Sequence, residues 1–495
     1  MPKTIPIFYS ALLLTGVNLL LRFVGTSFQV YISSALGAAG VGLLQLVMSV
    51  GSLAMVAGMA GIRTATMYLT AEELGRKKPG NIQWVLSGCF LYSIAFSGII
   101  AAGLYSFAPY IAKNWIGDIR TVDALRLFSA FLPCICLCGV MSGYFTAANR
   151  IGTLAVVEVL EQLSSMGITM LALKFWAGND PSKACQCVIL GSGWGACLTL
   201  GVLVFLRLQE NSAHCQKITV RSRLIQAAIP LAIGDLLKSG INTIENLMVP
   251  KRLAQNTYVE NPLAAFGIVS GMVFPILMFP ACILFGLAEL LIPELARCAA
   301  GGSHSRITYL VKRSLKVAML YGLVFSGLLF LLAESLCKKL YHNEEAGQYL
   351  QLYALLIPML YCDAITDAMT KGLGQQKACV RYNILTSAMD VVFLYLLLPG
   401  YGLEGYWVSF FVTHLINFLL SLRRLLKISH VHIPFYIPAL SCACAAAALW
   451  GASIISGEIG QCMAYIALLG SLLFLFRVIG QEDFFWLKRM FTNKK

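Results

Sequence analysis

Four polar side chains recur at helical spacing in an otherwise apolar stretch, residues 224–250: Asp235, Lys238, Asn242 and Glu245. At 100° per residue they fall within about 80° of one another, so one helix face carries all four. Residues 6–34 repeat the pattern with Asn18, Arg22 and Gln29, flanked by Thr15 and Gly25, and residues 41–70 with Gln45, Ser49, Ser52, Arg63 and Thr66. Each face is polar and each carries a cation. An ionisable group in hydrocarbon costs on the order of 3 kcal/mol, which drives such a face towards a polar interior rather than lipid. Arg22, Asn18, Gln29, Arg63, Lys238, Asn242 and Glu245 are therefore the candidate lining of a binding cavity. The competing reading is that Arg22 and Arg63 pair with Glu158 or Glu161, or extend to an interface. Asn246 lies about 100° from Glu245 and is expected to pack on a neighbouring helix instead.

The acids form a second group. Glu158, Glu161, Gln162 and Ser165 share one face of residues 152–176, and Asp363 and Asp367 stand one turn apart in residues 350–372. They are placed to balance the arginines, carry protons or bind a cation. Asn383 and Asp390, two turns apart, would join Asp235 and Thr413 as oxygen ligands for a sodium ion, with H+ as the other candidate coupling ion. No catalytic residue, resident cofactor or structural metal is expected. The 16 cysteines include no CxxC pair and sit in or beside apolar runs, where they act as small apolar packers. In "GMVFPILMFP" (271–280), Pro275 and Pro280, followed by Gly286, predict a bend that is either a hinge or a static kink.

These residues need membrane helices to hold them. The chain of 495 residues is 58% apolar and 12% charged, with a mean hydropathy of +0.76. About fourteen apolar runs are long enough to cross a bilayer, which predicts an all-α polytopic membrane protein. The connections are too short for an extramembrane catalytic domain. The net charge of +14 does not call for nucleic acid, because the lysines and arginines concentrate in alternate loops. That asymmetry predicts a multi-pass protein with both termini in the cytoplasm. The N-terminus lacks a cleavable signal and reads as the first span. A shift of 225 residues places Gly42 on Gly267, Gly61 on Gly286, Leu125 on Leu350, Leu127 on Leu352 and Pro133 on Pro358. This predicts a duplicated six-helix unit, 1–215 and 216–430, related by a pseudo-twofold axis along the membrane normal with the binding site between the copies. Residues 431–480 add two helices. The tail, 481–495, is expected in the cytoplasm, with "EDFFWLKRMF" (482–491) lying along the interface or anchoring it.

"INTIENLMVPKRL" (241–253), "FGIVSGMVFPILMFP" (266–280), "LLIPELA" (290–296) and "RFVGTSFQVYISSALGAAGVGLLQL" (22–46) resemble segments of the stage V sporulation protein B group. That group belongs to the polysaccharide-flippase branch of the multidrug/oligosaccharidyl-lipid/polysaccharide exporter superfamily, alongside peptidoglycan lipid II flippases and MATE transporters. The resemblance implies two six-helix lobes and alternating-access movement of an undecaprenyl-diphosphate-linked saccharide across the bacterial cytoplasmic membrane, in spore cortex or cell-wall polysaccharide synthesis. Cell-wall synthesis enzymes would be its neighbours. Arginine presents planar, permanently charged donors to phosphate oxygens, so Arg22, Arg63 and Lys238 would receive the diphosphate while the lipid tail stays in the bilayer. The chain has fewer cavity arginines than peptidoglycan-precursor flippases, which leaves the headgroup open. Two other functions compete. One is a cation-coupled multidrug antiporter using Asp235, Glu245 or the acids of 350–372. The other is a membrane-embedded glycan transferase or ligase, which the short loops disfavour.

Overall fold

Apolar runs of this length leave the backbone one way to satisfy its own hydrogen bonds in lipid, and the chain takes it. A computed structural model describes residues 7–75, 81–148, 150–178, 180–209, 221–431, 434 and 436–480, and no strand occurs among them. The helices are α1 (Ile7–Met59), α2 (Ile62–Gly75), α3 (Ile82–Tyr110), α4 (Val122–Ala147), α5 (Ile151–Ala172), α6 (Pro181–Leu208), α7 (Arg221–Leu253) and α8 (Pro262–Gly267). They continue with α9 (Phe274–Met278), α10 (Ala281–Ala300), α11 (His304–Tyr341), α12 (Glu344–Ala354), α13 (Ile357–Gly372), α14 (Gln376–Ser429), α15 (Tyr436–Ser453) and α16 (Glu458–Leu475). Among the described residues nine helical stretches are long and apolar enough to span a membrane, or eleven if each of two bent pairs is one span. The chain is thus an all-α polytopic membrane protein. The interfacial tail, 482–491, lies outside the described residues.

Several spans bend where the sequence removes a constraint. α1 breaks at Gly37 (φ 66°) and α14 at Gly402 (φ 57°), left-handed conformations that glycine adopts without a Cβ penalty. Each of these helices, about 80 Å long at 1.5 Å per residue, is long enough for two crossings. The run 41–70 also breaks, at Ala60 and Gly61, between α1 and α2. Arg63 and Thr66 therefore do not continue the straight stripe begun by Gln45 and Ser49, and Thr66 is fully buried.

By packing, the chain forms two compact units: Met1–Gly271 with Asp390–Tyr406, and Met272–Met389 with Trp407–Lys495. In the first, α2, α3 and α4 enclose a core of Ile62, Leu69, Val85, Cys89, Met141 and Phe145. The insert 390–406 joins this unit through α7. The Arg252 guanidinium sits 3.2 Å from the Tyr395 ring centroid, and Asn256 Nδ2 donates to Pro399 O at 3.1 Å.

The contact of α1 with α8 has a symmetry of its own. A methyl group built on Gly42 would overlap the Leu263 carbonyl oxygen, and one built on Gly267 would overlap the Ala38 carbonyl oxygen and lie 2.7 Å from Gly42 N. The same shift of 225 that relates Gly42 to Gly267 relates Ala38 to Leu263, so each half of the contact is the image of the other. Only glycine allows the backbones this close.

In the second unit the bend predicted at Pro275 and Pro280 is real: the stretch Pro262–Met278 and the helix that follows it turn by 64°. Its carbonyls are taken up by hydroxyls from neighbouring helices. Tyr341 donates to Met272 O at 3.2 Å, Tyr361 to Leu277 O at 3.0 Å and Tyr321 to Pro280 O at 2.7 Å. Three fixed donors brace the kink. A second bend, 56° between α12 and α13, precedes Pro358. α15 and α16 dock on α11, where Tyr465 is buried against Gly327 and donates to Leu323 O at 2.7 Å.

Candidate functional site

α7 supplies the longest polar face of the first unit. Asp235, Lys238 and Asn242 are exposed along it and Glu245 is half-buried, with Oε1 buried and unpartnered. The side of the helix adjoining this face is committed to packing: Thr243 Oγ1 donates to Ser49 O at 3.2 Å and Asn246 Nδ2 to Ser49 Oγ at 3.0 Å. Asn246 thus packs on α1, as its angular offset predicts. Glu245 lies within electrostatic reach of Asp390, and both act on the buried Tyr406 hydroxyl. Asp390 therefore lies within electrostatic reach of Glu245, which stands about 15 Å along α7 from Asp235.

The other expected lining residues of this unit divide. Gln29 places Nε2 in a buried position without a hydrogen-bond partner. Arg63 is exposed and within reach of Glu158, which supports the pairing that competes with a ligand role. Glu161 bonds the Thr199 hydroxyl, and Gln162 Nε2 donates to Leu21 O at 3.1 Å. The backbone of α1 is described at Asn18 and Arg22, but their side chains lie outside the described residues.

The second unit holds a cavity of about 220 Å³ between α10, α13 and α14. Its polar lining is Asp363, Asp367, Asn383, His414 and Asn417, against a wall of Met278, Leu284 and Phe285. Asn417 Nδ2 donates to both Asp363 oxygens, at 3.1 and 3.3 Å, while its own Oδ1 is buried and unpartnered. Lys371 Nζ pairs with Asp367 Oδ2 at 2.5 Å, one turn further on. His414 Nδ1 lies 3.0 Å from Phe410 O, which directs Nε2 away from the helix backbone. Thr413 is not among the lining residues; its hydroxyl bonds Ser409 O and Phe410 O of its own helix. His414 and Asn417 carry no expectation from sequence, although polar residues at i and i+3 in an apolar run are the signal that marks Asp235 and Lys238.

This chemistry suits a small cation or a proton: two carboxylates, amide oxygens and an imidazole, in a space far too small for a glycolipid headgroup. Among the described residues no three His, Cys, Asp or Glu side chains cluster as a metal site, and the described cysteines are free thiols.

The comparisons with known proteins follow this architecture. Residues 14–160 and 230–396 match the MatE family. The stage V sporulation protein B of Bacillus subtilis (strain 168) is 21% identical over 495 residues, spanning 95% of this chain and 96% of its own. The probable lipid II flippase MurJ of Rhizobium meliloti (strain 1021) is 24% identical over 347 residues, 65% of this chain and 60% of its own. Among solved structures, a lipid II flippase MurJ in an inward closed conformation superposes with a TM-score of 0.70 at 14% identity, covering 94% of this chain and 98% of that one. The two matched stretches make up more than half of the sequence, and the chain belongs to the MatE family, within the multidrug/oligosaccharidyl-lipid/polysaccharide exporter superfamily of membrane transporters.

Proposed function

We propose that this transporter moves an undecaprenyl-diphosphate-linked saccharide across the cytoplasmic membrane by alternating access, for cell-wall or spore-cortex polysaccharide synthesis. The observation that carries it is the exposed cation Lys238 on the long polar face of α7, a helix that this proposal counts among the membrane spans, where a cation gains nothing structurally. Arg63 and, from sequence, Arg22 add guanidinium groups suited to diphosphate oxygens. The end-to-end similarity to a sporulation protein and the partial similarity to a probable lipid II flippase support the substrate class.

The fourteen spans, the six-helix lobes bounded at 215 and 430 and the cytoplasmic termini belong to the same proposal. Counting α1 and α14 as two spans each and adding the polar α7 to the eleven apolar stretches reaches that number. The mirrored Gly42 and Gly267 contacts support the duplication; repeats reflect descent and compact units reflect packing, so the two divisions need not coincide.

The deciding experiment is flipping of defined lipid-linked substrates in proteoliposomes with and without ion gradients. Arg22→Ala and Lys238→Ala are expected to abolish translocation while the protein remains folded; normal transport in both would remove the diphosphate clamp. The acidic cavity of the second unit favours one other reading, a cation-coupled multidrug antiporter. Gradient-driven dye efflux without glycolipid flipping would establish it.

A further inference from the structure

Three successive contacts hold α4 against α6 around one pair of thiols. Phe131 of α4 meets Trp194 of α6 edge-on, with ring centroids 6.1 Å apart, and a methyl group built on Gly193 would overlap the Phe131 ring. One turn along, the Cys134 and Cys197 thiols hydrogen-bond to each other. One turn further, Cys138 Sγ donates to Ala196 O at 3.1 Å. Phe131 and Trp194 are 63 positions apart, as are Cys134 and Cys197, so the two helices run parallel in one register and the two cysteines stand opposite each other. A disulfide holds its Cβ atoms about 3.5–4.5 Å apart, and the glycine at 193 is what lets α6 approach α4 closely here. Neighbouring thiols are committed to backbone: Cys136 Sγ reaches Met55 O at 4.0 Å and Cys185 Sγ reaches Gly40 O at 3.9 Å.

The pair sits near the middle of two helices that are each long and apolar enough to span a membrane. Cys134 lies about 18 Å from one end of α4 and about 20 Å from the other, and Cys197 about 24 Å and about 17 Å from the ends of α6. Both thiols are half-buried, and Trp194, Leu198 and Val202 are exposed along α6 beside them, so the seam opens to lipid rather than to water. Charged aqueous thiols do not enter hydrocarbon, which leaves the redox state of this pair to couples dissolved in the bilayer. A thiolate is disfavoured in the same surroundings, which makes closure slow and confines it to an oxidant that dwells there.

We propose that Cys134 and Cys197 form a dithiol modification site that a lipid-soluble quinone closes to a disulfide. Both S–H bonds break and one S–S bond forms, while the two electrons and two protons pass to the quinone oxygens and leave quinol. A quinone is a two-electron, two-proton acceptor dissolved in the same hydrocarbon, which matches both the stoichiometry and the place of the pair. The closed form ties α4 to α6 within the first unit. The inference is independent of which substrate is transported.

The full chain, reduced and reconstituted in proteoliposomes, is incubated without dioxygen with a decyl-tailed, fully ring-substituted benzoquinone and mapped by mass spectrometry under non-reducing conditions. Peptides carrying Cys134 and Cys197 are expected to be linked, with one quinol formed per link. The link should be lost in Cys134→Ser and in Cys197→Ser and kept in Cys442→Ser, which removes an exposed cysteine of the second unit. The water-soluble oxidant diamide should form it more slowly. Separate alkylation of Cys134 and Cys197 after quinone treatment of the unsubstituted protein overturns the inference, as does a link from either to another cysteine, or closure by diamide at the same rate. Should the serine variants fail to fold, the unsubstituted protein decides: phenylarsine oxide bridges adjacent thiols without oxidising them and should shield both cysteines together from alkylation, whereas shielding of neither refutes the contact itself.

Discussion

The α1–α8 contact offers the sharpest test of how this transporter is built. A methyl group at position 267 would stand 2.7 Å from Gly42 N, where ordinary van der Waals contact begins near 3.4 Å, and nearer still to the Ala38 carbonyl oxygen. The helices must therefore part by roughly 0.7 Å or more, against backbone that cannot rotate away as a side chain would. Overpacking of this kind costs about 1–3 kcal/mol. If α1 and α8 separate during the transport cycle proposed above, the same energy shifts the population about 5- to 150-fold towards states in which the contact is open. Gly267→Ala and Gly42→Ala should act alike, because each sets a methyl group against the symmetry-related carbonyl. The double variant should fall short of the sum, since one separation relieves both clashes. Electron–electron resonance between one spin label on α1 and one on α8 reads the populations directly, and proteoliposome flux reads the consequence. An unchanged distance distribution in Gly267→Ala, or opposite effects of the two substitutions, would refute both the mirrored geometry and the opening of this contact in the proposed cycle.

Two further tests address the scaffold. Tyr361→Phe keeps the ring but leaves Leu277 O buried beside the proline bend without its donor; a loss of about 1–3 kcal/mol is expected in denaturant or thermal unfolding. A smaller loss would mean that the bend is held by packing alone. In the loop before α4, Asp118 caps a helical turn and takes the Arg120 guanidinium at 2.6 Å, and that hydrogen bond holds its carboxyl below the usual carboxylate range. A depressed folded value means stabilisation fully present above the unfolded value, about 3.9, and lost as pH falls through the folded one. The melting-temperature gap between the unsubstituted protein and Asp118→Asn should hold at neutral pH and close only below about pH 4; a gap that is the same at pH 3 and pH 7 would contradict it.

The parts of this architecture that depend on local spacing were legible in the sequence. The α7 face emerges from the 100° repeat of Asp235, Lys238, Asn242 and Glu245, and the proline bend from Pro275 and Pro280 themselves. What escaped depends on partners far along the chain. Asp390 is grouped with Asp235 by residue type, yet it lies within electrostatic reach of Glu245, because the segment 390–406 joins the unit of α7 from 145 positions away. The break at Ala60 and Gly61 is invisible to hydropathy, which stays high across it, so Arg63 is assigned to a stripe that does not reach it. Asp363 stood out as a buried acid, but Asn417 and His414 gain meaning only once α13 and α14 enclose the same cavity.

The charges of the first unit carry a final consequence for mechanism. Its polar faces hold Lys238 and Arg63, with Arg22 from sequence, against Asp235, Glu245, Asp390, Glu158 and Glu161. A diphosphate entering such a site meets more carboxylates than cations. One uncompensated carboxylate 8 Å away repels each phosphate charge by about 2 kcal/mol at an effective dielectric of 20, enough to cancel the attraction of one lysine at that distance. On the proposed diphosphate reading, anion binding would therefore call for carboxylates to be neutralised, by sodium or by protons, before or together with the headgroup. Cation coupling would on that reading follow from electrostatics rather than from a separate device. Binding of a labelled diphosphate lipid should strengthen with sodium or with acidification, and Glu245→Gln should bind more tightly while losing part of that dependence. Affinity indifferent to both cations, in the unsubstituted protein and in Glu245→Gln, would show that these carboxylates are already paired and that the clamp works without them.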